Sequence, residues 1–88
     1  MTPELSLTFR KGKLLVAYLA LVPVGGRQVR RTELLRPGVI IDVGPDGQPL
    51  GVEFTEPTLV TAEDIDAVVQ RLNGPATLVR DLQPLLAA

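Results

Sequence analysis

The chain has 88 residues, nine lysines and arginines against ten aspartates and glutamates, and neither cysteine nor histidine. A chain this short buries one core only, and the missing residue types exclude disulfides, thiolate chemistry, most zinc sites and every triad built on histidine. A formal charge of −1 gives no overall attraction to nucleic acid or to an anionic membrane, so binding to either would need a local patch.

The amino end, Met1-Thr2-Pro3-Glu4-Leu5, has no basic segment followed by an apolar run. No stretch approaches the ~20 apolar residues of a membrane span, and a cytoplasmic protein is expected. Leu5, Leu7 and Phe9 alternate with Ser6, Thr8 and Arg10, which predicts a first strand with one buried face and a tight turn at Lys11-Gly12-Lys13. The second strand, residues 14–22, is apolar at both parities and requires cover on both faces. Pro23 and Gly25-Gly26 end it. Residues 27–35 are a polar third strand or extended segment, closed by a turn at Arg36-Pro37-Gly38.

Residues 39–55 specify a hairpin. Pairing Val43 with Leu50, Ile41 with Val52 and Val39 with Phe54 places all six on one face, because the pleat repeats every two residues. That register needs an even loop, either Asp46-Gly47 alone or Pro45 to Gln48. A three-residue loop, Pro45-Asp46-Gly47, would pair Val43 with Pro49 and is rejected unless a bulge restores the phase. Thr61 then caps a helix over 61–73 in which Ile65, Val68, Val69 and Leu72 share a face, with Glu63 and Asp64 in its first turn and Asn73-Gly74-Pro75 as its stop. The apolar tail, 74–88, admits a short helix interrupted in its last turns by Pro84.

The expected architecture is a single domain over residues 1–88 of α+β class: a mainly antiparallel four-stranded β-meander sheet over 1–60, one packed helix over 61–73, and a short apolar carboxy-terminal segment. Val16-Ala17-Tyr18-Leu19-Ala20-Leu21, Thr32-Glu33-Leu34, Pro37-Gly38-Val39-Ile40-Ile41-Asp42, Asp46-Gly47 and Gly51-Val52-Glu53 stand in an order and spacing that resembles a domain-of-unknown-function family of short bacterial β-meander proteins. The chain departs from that pattern at Ala20, where the family often carries a polar or basic residue, and in its long carboxy-terminal extension. The resemblance implies the fold, a bacterial cytoplasmic setting and, in some members, a gene neighbour that looks like a small toxin. It implies no activity.

Three sets of residues are candidates for function. Asp42 and Glu53 become diagonal neighbours on the outer face of the hairpin and form a candidate ligand or cation site, against the simpler reading that they are solvated or paired with arginine. Arg27, Arg30, Arg31 and Arg36 form the only basic cluster, a weak nucleic-acid patch because alternate residues of a strand point opposite ways and aromatic residues are few. Gly25-Gly26 lacks the strand-to-helix context of a phosphate loop. Leu14, Val16, Tyr18 and Ala20, with Leu82, Leu85 and Leu86 of the tail, form the third set, an apolar interface calling for a second chain or for the tail to fold over it.

No catalytic residue, metal ligand or cofactor is assigned. The expectation is a non-catalytic protein-interaction module that self-associates as a homodimer and engages a protein partner such as a toxin-like neighbour, with no membrane role. The alternatives are a small-ligand or cation-binding protein or weak enzyme using Asp42 and Glu53, and an antitoxin-like or nucleic-acid-associated protein.

Overall fold

The computed structural model describes residues 3–23, 28–75 and 77–87, so the Gly25-Gly26 turn and Arg27 lie outside the described residues. Strands β1 (Glu4–Arg10) and β2 (Lys13–Ala20) form a hairpin closed by the pair Arg10 and Lys13. Both turn residues have positive φ, 53° at Lys11 and 79° at Gly12. Such a two-residue turn matches the right-handed twist of its strands, and glycine supplies the second position without strain. Strands β3 (Arg31–Arg36), β4 (Val39–Val43) and β5 (Pro49–Phe54) follow as two further hairpins.

All pairings are antiparallel, and the sheet has five strands in the order β1-β2-β5-β4-β3. The expected count of four is one short, because Arg31–Arg36 forms a full ladder with β4 rather than a loose extended segment. The order also departs from a simple meander. After β2 the chain crosses to the far edge and returns through β4, which sets β5 beside β2.

The β4–β5 register corrects the expected one at its turn. Val39 pairs with Phe54 and Ile41 with Val52, but Val43 pairs with Pro49, and the register shifts between Asp42 and Val43. The loop is the three-residue one. Gly47 N–H donates to the Gly44 carbonyl at 3.0 Å, Gly44 N–H donates to the Gln48 carbonyl at 2.9 Å, and Gly47 has φ 82°. Backbone chemistry decides this. Pro45 suits the first central position of a type I turn, and Gly47 the left-handed position after it. The Asp46 carboxylate accepts from Gln48 N–H at 3.1 Å, and Leu50, as the extra bulge residue, restores the phase.

One face of this sheet carries the core. Ala17, Leu19, Val39, Ile41, Val43, Val52 and Phe54 are buried there, beneath Ile65 and Val68 of helix α1 (Ala62–Leu72) and Leu78, Leu82 and Leu85 of helix α2 (Thr77–Ala87). Helix α1 starts as its sequence dictates. Thr61 Oγ1 accepts from Asp64 N–H at 3.2 Å, and the Asp64 carboxylate accepts from Thr61 N–H at 2.9 Å, a reciprocal capping box. Asn73, at φ 52°, ends it in the left-handed conformation.

The tail is a second full helix rather than a short interrupted one, with Pro84 inside it. An interior proline costs about 3 kcal/mol, whereas burying a leucine contributes roughly 1.5–3 kcal/mol. The three leucines α2 buries outweigh the proline. Both helices lie on the same face, so the two-sided cover expected for β2 is not supplied by the helices. A 3-10 turn, Pro57–Leu59, with Pro57 buried, links β5 to α1.

Two ion pairs lock α1 to the edge strand β3. Arg36 Nε lies 2.8 Å from Asp64 Oδ1 near the amino end of the helix. Near its carboxy end, Arg71 donates from Nε to Glu33 Oε2 at 2.6 Å and from Nη2 to Oε1 at 3.1 Å. These hydrogen bonds, aided by the charges of Arg71 and Arg31, hold the Glu33 carboxyl below the ordinary glutamate range and raise Arg71. A depressed carboxyl contributes stability that is complete above its unfolded-state pKa and is lost as pH falls through the folded-state value. Urea midpoints measured across the acid range should therefore fall more steeply for the native chain than for Glu33→Gln, and the two curves should converge at the acid end. Parallel curves would contradict the linkage.

Candidate functional site

Among the described residues no helix covers the face of the sheet opposite α1 and α2, the open face. Its side chains follow from the ladders: Thr32, Asp42, Gly51, Ala20 and Glu4 lie in one row across the strands, and Leu34, Ile40, Glu53, Tyr18 and Ser6 in the next. Val16, opposite Thr8, lies beyond them. Val16, Tyr18, Ala20, Ile40, Asp42 and Glu53 are half-buried, while Leu34 is 71% exposed. None of these positions holds lysine or arginine.

Asp42 and Glu53 take the expected diagonal, since Asp42 faces Gly51 and Ile40 faces Glu53. Tyr18 changes their setting. It pairs with Glu53, yet its ring lies across Gly51, and its hydroxyl donates to Asp42 Oδ2 at 2.8 Å. A Cβ on Gly51 would stand 2.1 Å from that hydroxyl oxygen and 2.4 Å from the ring carbon bearing it. Gly51 is therefore the close-packing glycine its place in a strand implied, and the tyrosine covers the backbone it exposes. One carboxylate oxygen of Asp42 is engaged by an intrachain donor. Among the described residues no cluster of three or more acidic side chains is placed to hold a metal ion.

The other candidates are dispersed. Arg30 is exposed, and its backbone N–H donates to the Val43 carbonyl at 2.7 Å. Arg31 lies 3.8 Å from Glu33, and Arg36 is held by Asp64 with Glu63 at 4.0 Å, so both contribute to the β3–α1 side rather than to a shared basic surface. Of the apolar set, Val16, Tyr18 and Ala20 lie on the open face, and Leu14 faces Phe9 at a register shift. Leu82 and Leu85 are 0% and 2% exposed in the monomer core, and Leu86 alone, at 41%, offers tail surface. The tail folds onto the helical face rather than over the open one. A depression of about 290 Å³ between Pro3, Leu21, Pro49, Leu72 and Leu78 is lined without a titratable side chain.

Sequence reasoning missed the Tyr18–Asp42 hydrogen bond, because it depends on the β2–β5 pairing, which no local pattern announces. The one available signal was Gly51 itself, a glycine inside a strand opposite Asp42. Comparison with family models, with curated proteins and with solved structures returns no match.

Gly51→Ala should cost about 1–3 kcal/mol of stability by overpacking, and the cost should nearly vanish in a Tyr18→Ala background. A double-mutant cycle by chemical denaturation measures this coupling, and additive effects would show that the ring does not rest on Gly51.

Proposed function

We propose that this chain is a non-catalytic protein-interaction module that self-associates and presents the open face of its sheet to a protein partner. The observation that carries this reading is the composition of the uncovered face. Val16, Ala20, Ile40 and Leu34 are interleaved with Glu4, Asp42 and Glu53, and the two strand rows that hold these acids carry no cation, the pair Arg10 and Lys13 standing beyond Val16 at the turn end of β1 and β2. Apolar surface interleaved with acidic side chains fits a partner that brings lysine or arginine among apolar side chains. A small toxin-like neighbour, of the kind the family resemblance implies, is the partner this proposal names.

Capture from the native host followed by mass spectrometry tests the surface when run with variants. Leu34→Arg and Ile40→Arg should each reduce retention of the partner by about tenfold, as expected where a charge replaces an apolar contact of an interface. Gln70→Arg, on the exposed side of α1, should leave retention unchanged. Equal retention by all three variants would remove the open face as the binding surface.

A second reading has one observation in its favour: the diagonal of Asp42 and Glu53, with Asp42 fixed by Tyr18. In a thermal-shift series with calcium, magnesium and manganese, the expected result is the same response for the native chain and for Asp42→Asn combined with Glu53→Gln. A cation-dependent rise confined to the native chain would shift the conclusion to a cation site.

A further inference from the structure

The sheet has two edges, and they differ in what they can accept. At one edge β3 is interrupted by a register shift between Leu34 and Arg36. Antiparallel pairing of Arg31–Arg36 with its own copy would set Arg31 against Arg36 at both ends. Bulges and like charges of this kind are the usual means of blunting an edge. At the other edge β1 runs unbroken from Glu4 to Arg10, the extra residue of its register shift being Leu15 of β2. Its sequence, Glu-Leu-Ser-Leu-Thr-Phe-Arg, is self-complementary when read in the opposite direction.

We infer that two copies of this chain join edge to edge through β1, about a two-fold axis at Leu7, to make one continuous antiparallel sheet. In that register Glu4 stands opposite Arg10 of the second copy, Leu5 opposite Phe9, Ser6 opposite Thr8, and Leu7 opposite Leu7. Directly opposed residues share a face, so the apolar pairs fall on the helical side and the hydroxyl and charged pairs on the open side. The register brings acid to base at both ends and leaves no like charges opposed.

Exposure in the single chain agrees with this arrangement. Phe9 is 57% exposed, Leu5 and Leu7 are only half-buried against the core, and Glu4, Ser6, Thr8 and Arg10 are exposed. Neither Glu4 nor Arg10 has an ion-pair partner among the described residues. The contact is isologous and closes on itself, so it ends at a dimer rather than growing into a fibre. It rests on the self-association in the proposed function and supplies its geometry.

Sedimentation of the full chain over a concentration series tests the pairing. The native chain should dimerise, and Glu4→Arg and Arg10→Glu should each raise the dimer dissociation constant by about tenfold, because opposed like charges replace two cross-strand ion pairs. An equimolar mixture of the two variants should recover the native constant, since the two arginines of one variant then meet the two glutamates of the other. Oxidation of Ser6→Cys mixed with Thr8→Cys, in a chain with no cysteine of its own, should yield the mixed disulfide in preference to either symmetric one. Circular dichroism of each variant confirms folding at these exposed positions.

A native chain that stays monomeric at high micromolar concentration would overturn both the edge pairing and self-association. A dimer indifferent to the charge variants, or one that forms no mixed disulfide, would overturn the edge pairing alone. Neither result bears on partner capture by the open face, which the Leu34 and Ile40 variants read separately.

Discussion

The fold depends on a short seam. Ala17 with Phe54, Tyr18 with Glu53, Leu19 with Val52, and Ala20 with Gly51 join the β1–β2 hairpin to the β3–β4–β5 unit. The β1–β2 hairpin needs this join, since a hairpin in water is marginal without further strands or a helix to pack on. The seam pairs residues far apart in the chain, so its closure entropy must be met before any contact across it contributes. Size complementarity on both faces provides that contribution. On the helical face the small Ala17 stands beside Phe54, and both are fully buried. On the open face the smallest residues, Ala20 and Gly51, leave the space through which Tyr18 reaches past β5 to Asp42 on β4. A single tyrosine thereby ties together three strands across the join.

What could be read from the sequence was local, and what could not be read was tertiary. Helix α1, expected over 61–73 and found over Ala62–Leu72, was legible at both ends, because Thr61 and Asn73 act within one turn of where they stand. The buried faces of β4 and β5 were legible from alternation. Their turn was not, because the backbone preferences of Pro45 and Gly47 outweigh simple phase, and Leu50 absorbs the difference as a bulge. β2 is apolar at both parities, so its pattern cannot say which face is the core. Pairing with β5 settles that in favour of Ala17 and Leu19. Helix α2 was obscured by Pro84, a strong local signal overridden by the burial of Leu78, Leu82 and Leu85. At the candidate site, the diagonal of Asp42 and Glu53 followed from one hairpin, whereas the hydroxyl bound to Asp42 comes from a strand that only the seam brings near.

The ion pairs between α1 and β3 specify direction more than they stabilise. Pairs this exposed are worth little individually. Their arrangement is nonetheless one-way: Asp64 lies at the helix start beside Arg36, and Arg71 at its end beside Glu33. Reversing the helix over the strand would oppose Asp64 to Glu33 and Arg71 to Arg36. The same signs suit the helix dipole, which favours acid at its amino end and base at its carboxy end. Engaging Arg31 and Arg36 on that side leaves the two open-face rows that hold Asp42 and Glu53 without a cation.

Placing both helices on one face determines where this molecule can still make contacts. The helical side is closed by its own core, and the β3 edge is interrupted by its bulge and clamped to α1. That leaves the β1 edge and the open face, and the two are geometrically compatible. Antiparallel pairing at β1 about an axis normal to the sheet puts the helices of both copies on one side and both open faces on the other. Growth at the edge therefore covers nothing on the face. In the proposed dimer it would extend the face instead, setting two such surfaces side by side, so that a partner on one copy would leave the other free for a second. Joining the copies in this way would raise the effective concentration of the second site for a partner with two contact segments.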